Sequence, residues 1–274
     1  MIDVQKLVTM IHGKPILNEL SFTMDAGSMY GIIGPNGAGK STLLHLLSGV
    51  DKPTSGKVLL EGRDAAHYGR KELAKWVAVL QQGGLAPAGF TVREVVAMGR
   101  YPFQNWMGEE KEDVTPLIDE ALEAMGLTGL QERRMDQLSG GERQRAALAK
   151  VMAQDPSLLL LDEPTTFLDI GYQVQLLDIV KSWQRNRRMT VIAVLHDLNL
   201  AAHYCDKLLV LHNGKIEAFE APAVIMEPDL IERVFGAKAI VLPHPQTGVP
   251  QLLLQPSQPS SQWEHLRIER KRKG

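Results

Sequence analysis

Four short apolar runs frame this chain: Met29-Tyr30-Gly31-Ile32-Ile33, Trp76-Val77-Ala78-Val79-Leu80, Leu158-Leu159-Leu160-Leu161 and Val191-Ile192-Ala193-Val194-Leu195. None alternates with polar residues; 29–33 reads as a strand, and 158–161 and 191–195 read as strands buried on both faces, as in a parallel sheet. The intervening pattern changes period. Residues 1–33 read as strands broken near Gly13 and at Ala26-Gly27, and residues 56–61 add another after a turn at Pro53. Residues 91–98 and 109–125 have helical period and acidic starts, which predicts an inserted helical segment. Residues 141–235 return to alternating helix and strand. Asn213-Gly214 predicts a hairpin over residues 210–217, and residues 239–242 with 251–254 predict a second. The class these elements predict is α/β.

The first apolar run leads into Gly34-Pro35-Asn36-Gly37-Ala38-Gly39-Lys40-Ser41-Thr42 and then into Leu43-Leu44-His45-Leu46-Leu47. Strand, glycine-rich loop and helix match G-x-x-x-x-G-K-[ST] in the setting that motif requires. Glycines let the backbone curl until several N–H groups face one anion, and the helix start adds to the field. In such a loop Lys40 reaches the β- and γ-phosphates and Ser41 supplies a hydroxyl to Mg²⁺. A tight turn ending by chance in Gly-Lys-Ser is the plain alternative, and the nine-residue match outweighs it. The apolar strand 158–161 runs into Asp162-Glu163-Pro164. Open α/β sheets place ligands at the carboxyl ends of their strands. Two adjacent acids there call for a cation, with Asp162 holding Mg²⁺ and Glu163 orienting or deprotonating the attacking water.

A second glycine-rich turn, Leu138-Ser139-Gly140-Gly141-Glu142-Arg143, opens the helical run that begins at Ala146. It is another set of backbone donors at a helix start. One nucleotide has one γ-phosphate, so a second cradle makes sense if it serves a nucleotide held by another copy. An ordinary Ser139 cap with Glu142 completing a capping box is the bland reading of the same residues. On these motifs the chain resembles the ATP-binding cassette (ABC) family, whose signature reads L-S-G-G-Q/E. The resemblance implies an α/β P-loop fold with an N-terminal antiparallel β subdomain and an inserted helical subdomain. It also implies two copies sandwiching ATP and Mg²⁺, with Ser139, Gly140 and Gly141 acting across the dimer. Asp169 then falls in the loop that touches the partner copy, and His196 matches the switch histidine at the γ-phosphate. Gln82, with Gln81 the alternative, matches the glutamine that serves Mg²⁺, water and the membrane partner. The family's adenine-stacking aromatic would fall at Ile11 or His12, where this chain has no Tyr or Phe.

Composition narrows the class. The 274 residues carry a net charge of −2, so nothing favours a nucleic-acid partner. One cysteine, Cys205, leaves no internal disulfide and suits a reducing compartment; the expectation is a buried apolar residue in a helix. The start of the chain does not read as a signal peptide, and no apolar run reaches the ~18 residues of a membrane span. A cassette of this kind implies a separate polytopic permease, an extracytoplasmic substrate-binding protein beyond it, and a peripheral place on the cytoplasmic face of the membrane. The expected organisation is one ATPase domain over 1–254, with the helical subdomain at about 83–150 and a C-terminal hairpin at about 236–254. Residues 255–274, rich in Pro, Ser and Gln and then basic, are expected to be a flexible tail.

The short interval between P-loop and signature has no sustained heptads, unlike the coiled-coil repair members of the family. One P-loop and one signature also set it apart from the two-cassette translation factors. Gly99-Arg100-Tyr101-Pro102, the run 165–173, Leu195-His196-Asp197-Leu198-Asn199 and the segment 243–250 look like the ATPases of ferric-siderophore importers. Haem and vitamin B12 importers have similar cassettes. A soluble ABC ATPase without a permease is the alternative from another class.

Overall fold

The computed structural model describes residues 1–81, 89–110, 112–166 and 168–256. Gln82, Phe167 and the tail from residue 257 lie outside them.

The chain opens with β1 (Ile2–Ile11) and β2 (Lys14–Met24), paired antiparallel, followed by β3 (Met29–Ile33) and α1 (Lys40–Leu47). After β4 (Ser55–Leu60), β5 (Arg63–Asp64), α2 (Arg70–Trp76) and β6 (Val77–Leu80) comes the helical insertion: α3 (Val92–Ala97), α4 (Thr115–Ala124) and α5 (Gly140–Ala153). Then β7 (Leu158–Asp162), α6 (Ile170–Arg187), β8 (Thr190–Val194), α7 (Leu198–Tyr204), β9 (Lys207–His212) and β10 (Lys215–Glu220) complete the main sheet. Helices α8 (Pro222–Ile225) and α9 (Pro228–Phe235) lead to the hairpin of β11 (Ala239–Pro243) and β12 (Pro250–Leu254).

The main sheet has the order β10-β9-β3-β8-β7-β6, and all neighbours but the β9–β10 hairpin run parallel. Its strands show why the four apolar runs lack alternation. Side chains on a strand point alternately to opposite faces, and here both faces are covered. Leu159, Leu161, Val191, Ala193, Leu208 and Val210 enter one core with α3, α4, α5 and α6. Leu158, Leu160, Ile192, Val194, Leu209 and Leu211 enter another with α1 and the first sheet, β2-β1-β4-β5. Asn213 and Gly214 take φ of 49° and 71°, the positive values a two-residue hairpin turn needs.

Two expectations move. Residues 109, 110 and 112–114 are not helical; α4 starts at Thr115 with Pro116 in its first turn, where a missing N–H costs nothing. Glu110, half-buried, instead pairs with the buried Arg100, whose guanidinium also donates to Ala153 O. Cys205 sits one residue past α7 rather than in it, and is buried. Burial pushes its thiol pKa up to about 12.

Candidate functional site

The loop after β3 is shaped by what surrounds it. A side chain on Gly34 would put its Cβ 2.0 Å from the Leu211 carbonyl oxygen of β9. One on Gly39, where φ is 98°, would meet Leu17 Cδ2 at 2.7 Å. Glycine is therefore demanded by the neighbouring strands before any ligand is considered. Ala38 is buried in the core beneath the loop, and Ala38 N donates to Pro35 O at 3.2 Å. Gly37, with φ of 79°, completes the curl through Asn36 and Gly39. Lys40 and Ser41 open α1, with Thr42 next.

Lys40 Nζ donates to Gly34 O at 2.9 Å and Pro35 O at 3.0 Å, across the inside of the loop. The residue is 6% exposed. Burial lowers its pKa, opposed by the charges of Glu163 and Asp162. Ser41 Oγ donates to Asp162 Oδ1 at 3.0 Å, bringing the P-loop and the end of β7 together.

Glu163 follows Asp162 in a left-handed conformation, φ 50°. Such backbone costs a non-glycine residue roughly 1–2 kcal/mol and persists only where its surroundings hold it. Thr166 does so twice: its N–H donates to Glu163 O at 3.2 Å and its hydroxyl to Glu163 Oε2 at 3.3 Å. On the other side, His196 Nε2 lies 2.6 Å from Glu163 Oε1. His196 stands between β8 and α7, two residues after Val194, and the N–H of Leu195 donates to Ile32 O in β3 at 3.2 Å. The ends of β3, β8 and β7 thus bring Lys40, Ser41, Asp162, Glu163 and His196 into one cluster.

Ser139, Gly140 and Gly141 stand apart from it. Among the described residues no hydrogen bond or ion pair joins them to the P-loop. Ser139 caps α5 through a capping box: its Oγ accepts from Glu142 N at 3.3 Å, and Glu142 Oε2 accepts from Ser139 N at 2.7 Å. The capping reading of this turn is thereby met. It engages the Ser139 N–H and a lone pair of its hydroxyl, and leaves the N–H groups of Gly140 and Gly141 in the first turn of α5, where a helix supplies no acceptor. Gln144 ties α5 to the acid turn, its Nε2 donating to Pro164 O at 3.3 Å. Asp169 is the N-cap residue of α6, exposed, with no side-chain cap bond, beside an Ile170 that is 80% exposed. Gln82 lies outside the described residues; Gln81 is exposed just past β6. Ile11 ends β1, and His12 follows with φ 49° in the β1–β2 turn. Thr166 was visible in the sequence only as part of a resembling run; its spacing of three from Glu163 was the signal for its bonds.

A phosphate cradle at a strand end beside an acid pair and a histidine defines a P-loop nucleoside triphosphatase. Residues 17–166 match the family described as ABC transporter. The chain belongs to that family, as an ATP-binding subunit that hydrolyses ATP. It is 43% identical over 248 residues to the ferric enterobactin transport ATP-binding protein FepC of Escherichia coli (strain K12), covering 89% of this chain and 90% of that protein. It is 42% identical over 235 residues to the siderophore transport system ATP-binding protein YusV of Bacillus subtilis (strain 168), covering 86% of each. Among solved structures it resembles a metal-chelate type ABC transporter in an inward-facing conformation, with TM-score 0.80 and 25% identity over 93% of this chain and 98% of that one. It also resembles a dimeric ATP-binding cassette in a post-hydrolysis state bound to ADP and Pi, with TM-score 0.71 and 25% identity over 81% and 98%. Among the described residues no helix is long and apolar enough to cross a membrane.

Proposed function

We propose that this chain energises uptake of an iron chelate, a ferric siderophore, from the cytoplasmic face of a membrane. It does so by driving a separate permease fed by an extracytoplasmic binding protein. The observation that carries this reading is the 43% identity to a ferric enterobactin transport subunit over nine-tenths of both chains, with a second siderophore-system subunit close behind.

In this reading two copies close on two ATP molecules. The backbone of residues 34–42 wraps the phosphates, and Lys40 turns from the Gly34 and Pro35 carbonyls to the β- and γ-phosphates. Ser41 Oγ and Asp162 Oδ1, 3.0 Å apart, are hard oxygen donors on a common point and fit Mg²⁺, with Gln82 a further ligand. The ion, when bound, neutralises charge on the phosphates. Glu163 aligns the attacking water and takes its proton through a carboxylate that Thr166 and His196 hold in place. His196 holds the γ-phosphate from the side of β8. The Ser139 hydroxyl and the N–H groups of Gly140 and Gly141 of one copy face the γ-phosphate bound by the other, and Asp169 makes a contact between copies.

A cavity of about 480 Å³ lies between core and helical insertion, lined by Val79, Leu80 and Gln81 on one side and Val95, Met135 and Ala147 on the other. We assign it to a short cytoplasmic helix of the permease, so that closure of the pair is felt in the membrane. A deletion strain should grow on iron-rich medium and fail to take up one radiolabelled ferric chelate. The wild-type chain should restore uptake, and Glu163→Gln should not. Loss of haem or cobalamin uptake with every ferric chelate unaffected would refute the substrate; no uptake defect at all would refute transport.

A further inference from the structure

Two segments of this chain have no chemistry assigned so far: Leu198-Asn199 after the histidine, and the C-terminal hairpin that carries the 243–250 turn. The structure joins them. The β11–β12 hairpin is two strands wide, so β12 has an open edge. Asn199 acts there as a third strand of one residue: its Nδ2 donates to Leu252 O at 3.2 Å and its Oδ1 accepts from Leu252 N at 2.7 Å. Helix α7 has seven residues, and helices below about 12 residues do not hold themselves in water. Its position comes from packing on two sides. Ala201 and Tyr204 enter the main core, while Ala202 enters a small cluster with Ile231 and Leu252. Its first turn is fixed by Asp197, whose Oδ1 accepts from Asn199 N at 2.8 Å and Leu200 N at 3.0 Å, and by the Asn199–Leu252 pair. His196 comes immediately before that cap.

We infer that Asn199 is a positioning residue: through it the C-terminal hairpin fixes the first turn of α7 and so sets where the His196 imidazole stands against Glu163. This rests on the role proposed above for His196. With the pair removed, the first turn keeps its cap and loses its anchor, and His196 swings on a loosened stem. A 1 Å misplacement of a reacting group can cost about 10²-fold. A partial loosening of one turn is therefore expected to lower turnover about tenfold.

The test uses the full chain, steady-state and single-turnover ATP hydrolysis, and thermal unfolding. Asn199→Ala should lower kcat about tenfold with KM for ATP unchanged, and Asn199→Asp, which keeps the acceptor for Leu252 N–H, should recover part of it. Ile231→Val trims the same cluster without touching the pair; it should lower Tm at least as much as Asn199→Ala and leave kcat within about twofold of the parent. In a His196→Ala background, Asn199→Ala should cause no further loss in the single-turnover rate. Parent-like turnover of Asn199→Ala beside a slow His196→Ala overturns the positioning role alone. An equal loss in both backgrounds also overturns it, because Asn199 would then act on something other than His196. Parent-like turnover of His196→Ala overturns the role of the histidine and the positioning role with it.

Discussion

Gly34→Ala tests whether the phosphate loop is shaped by its wall. The added methyl carbon would stand 2.0 Å from Leu211 O. A carbon contact needs more than about 3 Å, so either the loop or β9 must yield by about 1 Å. Strand β9 is held on both edges, by β3 and β10, so the loop is what moves. Its displacement carries off the Gly34 carbonyl that Lys40 Nζ meets at 2.9 Å, and it shifts the start of α1 against Asp162. Overpacking of this kind costs about 1–3 kcal/mol. For a domain of this size that lowers Tm by roughly 2–4 °C per kcal/mol. A shift of about 1 Å at the phosphates should lower ATP turnover about 10²-fold. Gly62→Ala is the control. There φ is 80° and nothing lies within 4 Å of the added carbon, so only backbone strain is introduced. It should cost about 1 kcal/mol and leave kcat at the parent value. The assay pairs thermal unfolding with ATP hydrolysis for both variants. Parent-like turnover and melting in Gly34→Ala, or a larger loss of activity in Gly62→Ala, would refute the reasoning.

Glu163→Gln should bind ATP and turn over about 10²–10⁴-fold more slowly, with an ATP-bound dimer accumulating on gel filtration; parent-like turnover would remove Glu163 from the role. Lys40→Ala should bind ATP more weakly by calorimetry and form no ATP-dependent dimer, whereas unchanged affinity would mean that Lys40 does not meet the phosphates. Mixing inactive Lys40→Ala with inactive Gly141→Asp should restore part of the hydrolysis, since one site of the mixed dimer has an intact P-loop and an intact signature turn. Failure to recover activity where heterodimers form would count against action across the dimer. For Cys205 the folded pKa, about 12, is raised by burial above that of the unfolded chain. Its contribution to stability is therefore full below about pH 8.5 and is lost as pH rises through the folded value. Alkaline denaturation of Cys205→Ala should be less steep over that window, and the native thiol should resist alkylation at about pH 8 until the chain unfolds.

How legible each part was depends on how local its physics is. The phosphate loop could be read because a chain that must curl, avoid β9 and start a helix within nine residues has few sequences open to it. The buried strands could be read because both faces of the main sheet are covered, which removes alternation. Glu109 and Glu110 look like an acidic first turn, which is why the sequence alone starts a helix at 109 and the structure starts α4 at Thr115. Only the tertiary structure shows that the buried Arg100 takes Glu110 as its ion-pair partner and that Pro116 is better placed in the first turn. The Asn199–Leu252 pair spans 53 residues and one side chain, and no local pattern announces it.

Strand order does the rest. Parallel neighbours lie about 4.8 Å apart, so three adjacent strand ends span about 10 Å. In this sheet the three are β3, β8 and β7, delivering the phosphate loop, His196 and the Asp162-Glu163 pair side by side. Putting β8 in the middle is what lets His196 meet Glu163 at 2.6 Å while Leu195 N–H bonds to β3 on the other side. Were β7 and β8 exchanged, each strand would read the same in sequence, but Asp162 would sit beside β3 and His196 one strand further out. An acid pair between lysine and histidine could still meet Ser41, yet the histidine would stand on the far side of Glu163 from the phosphate loop. The sheet order thus decides that His196 leaves a strand end lying between those of β3 and β7, where its Nε2 meets Glu163 Oε1 at 2.6 Å. That placement is why anything that tilts the first turn of α7 should be felt in turnover.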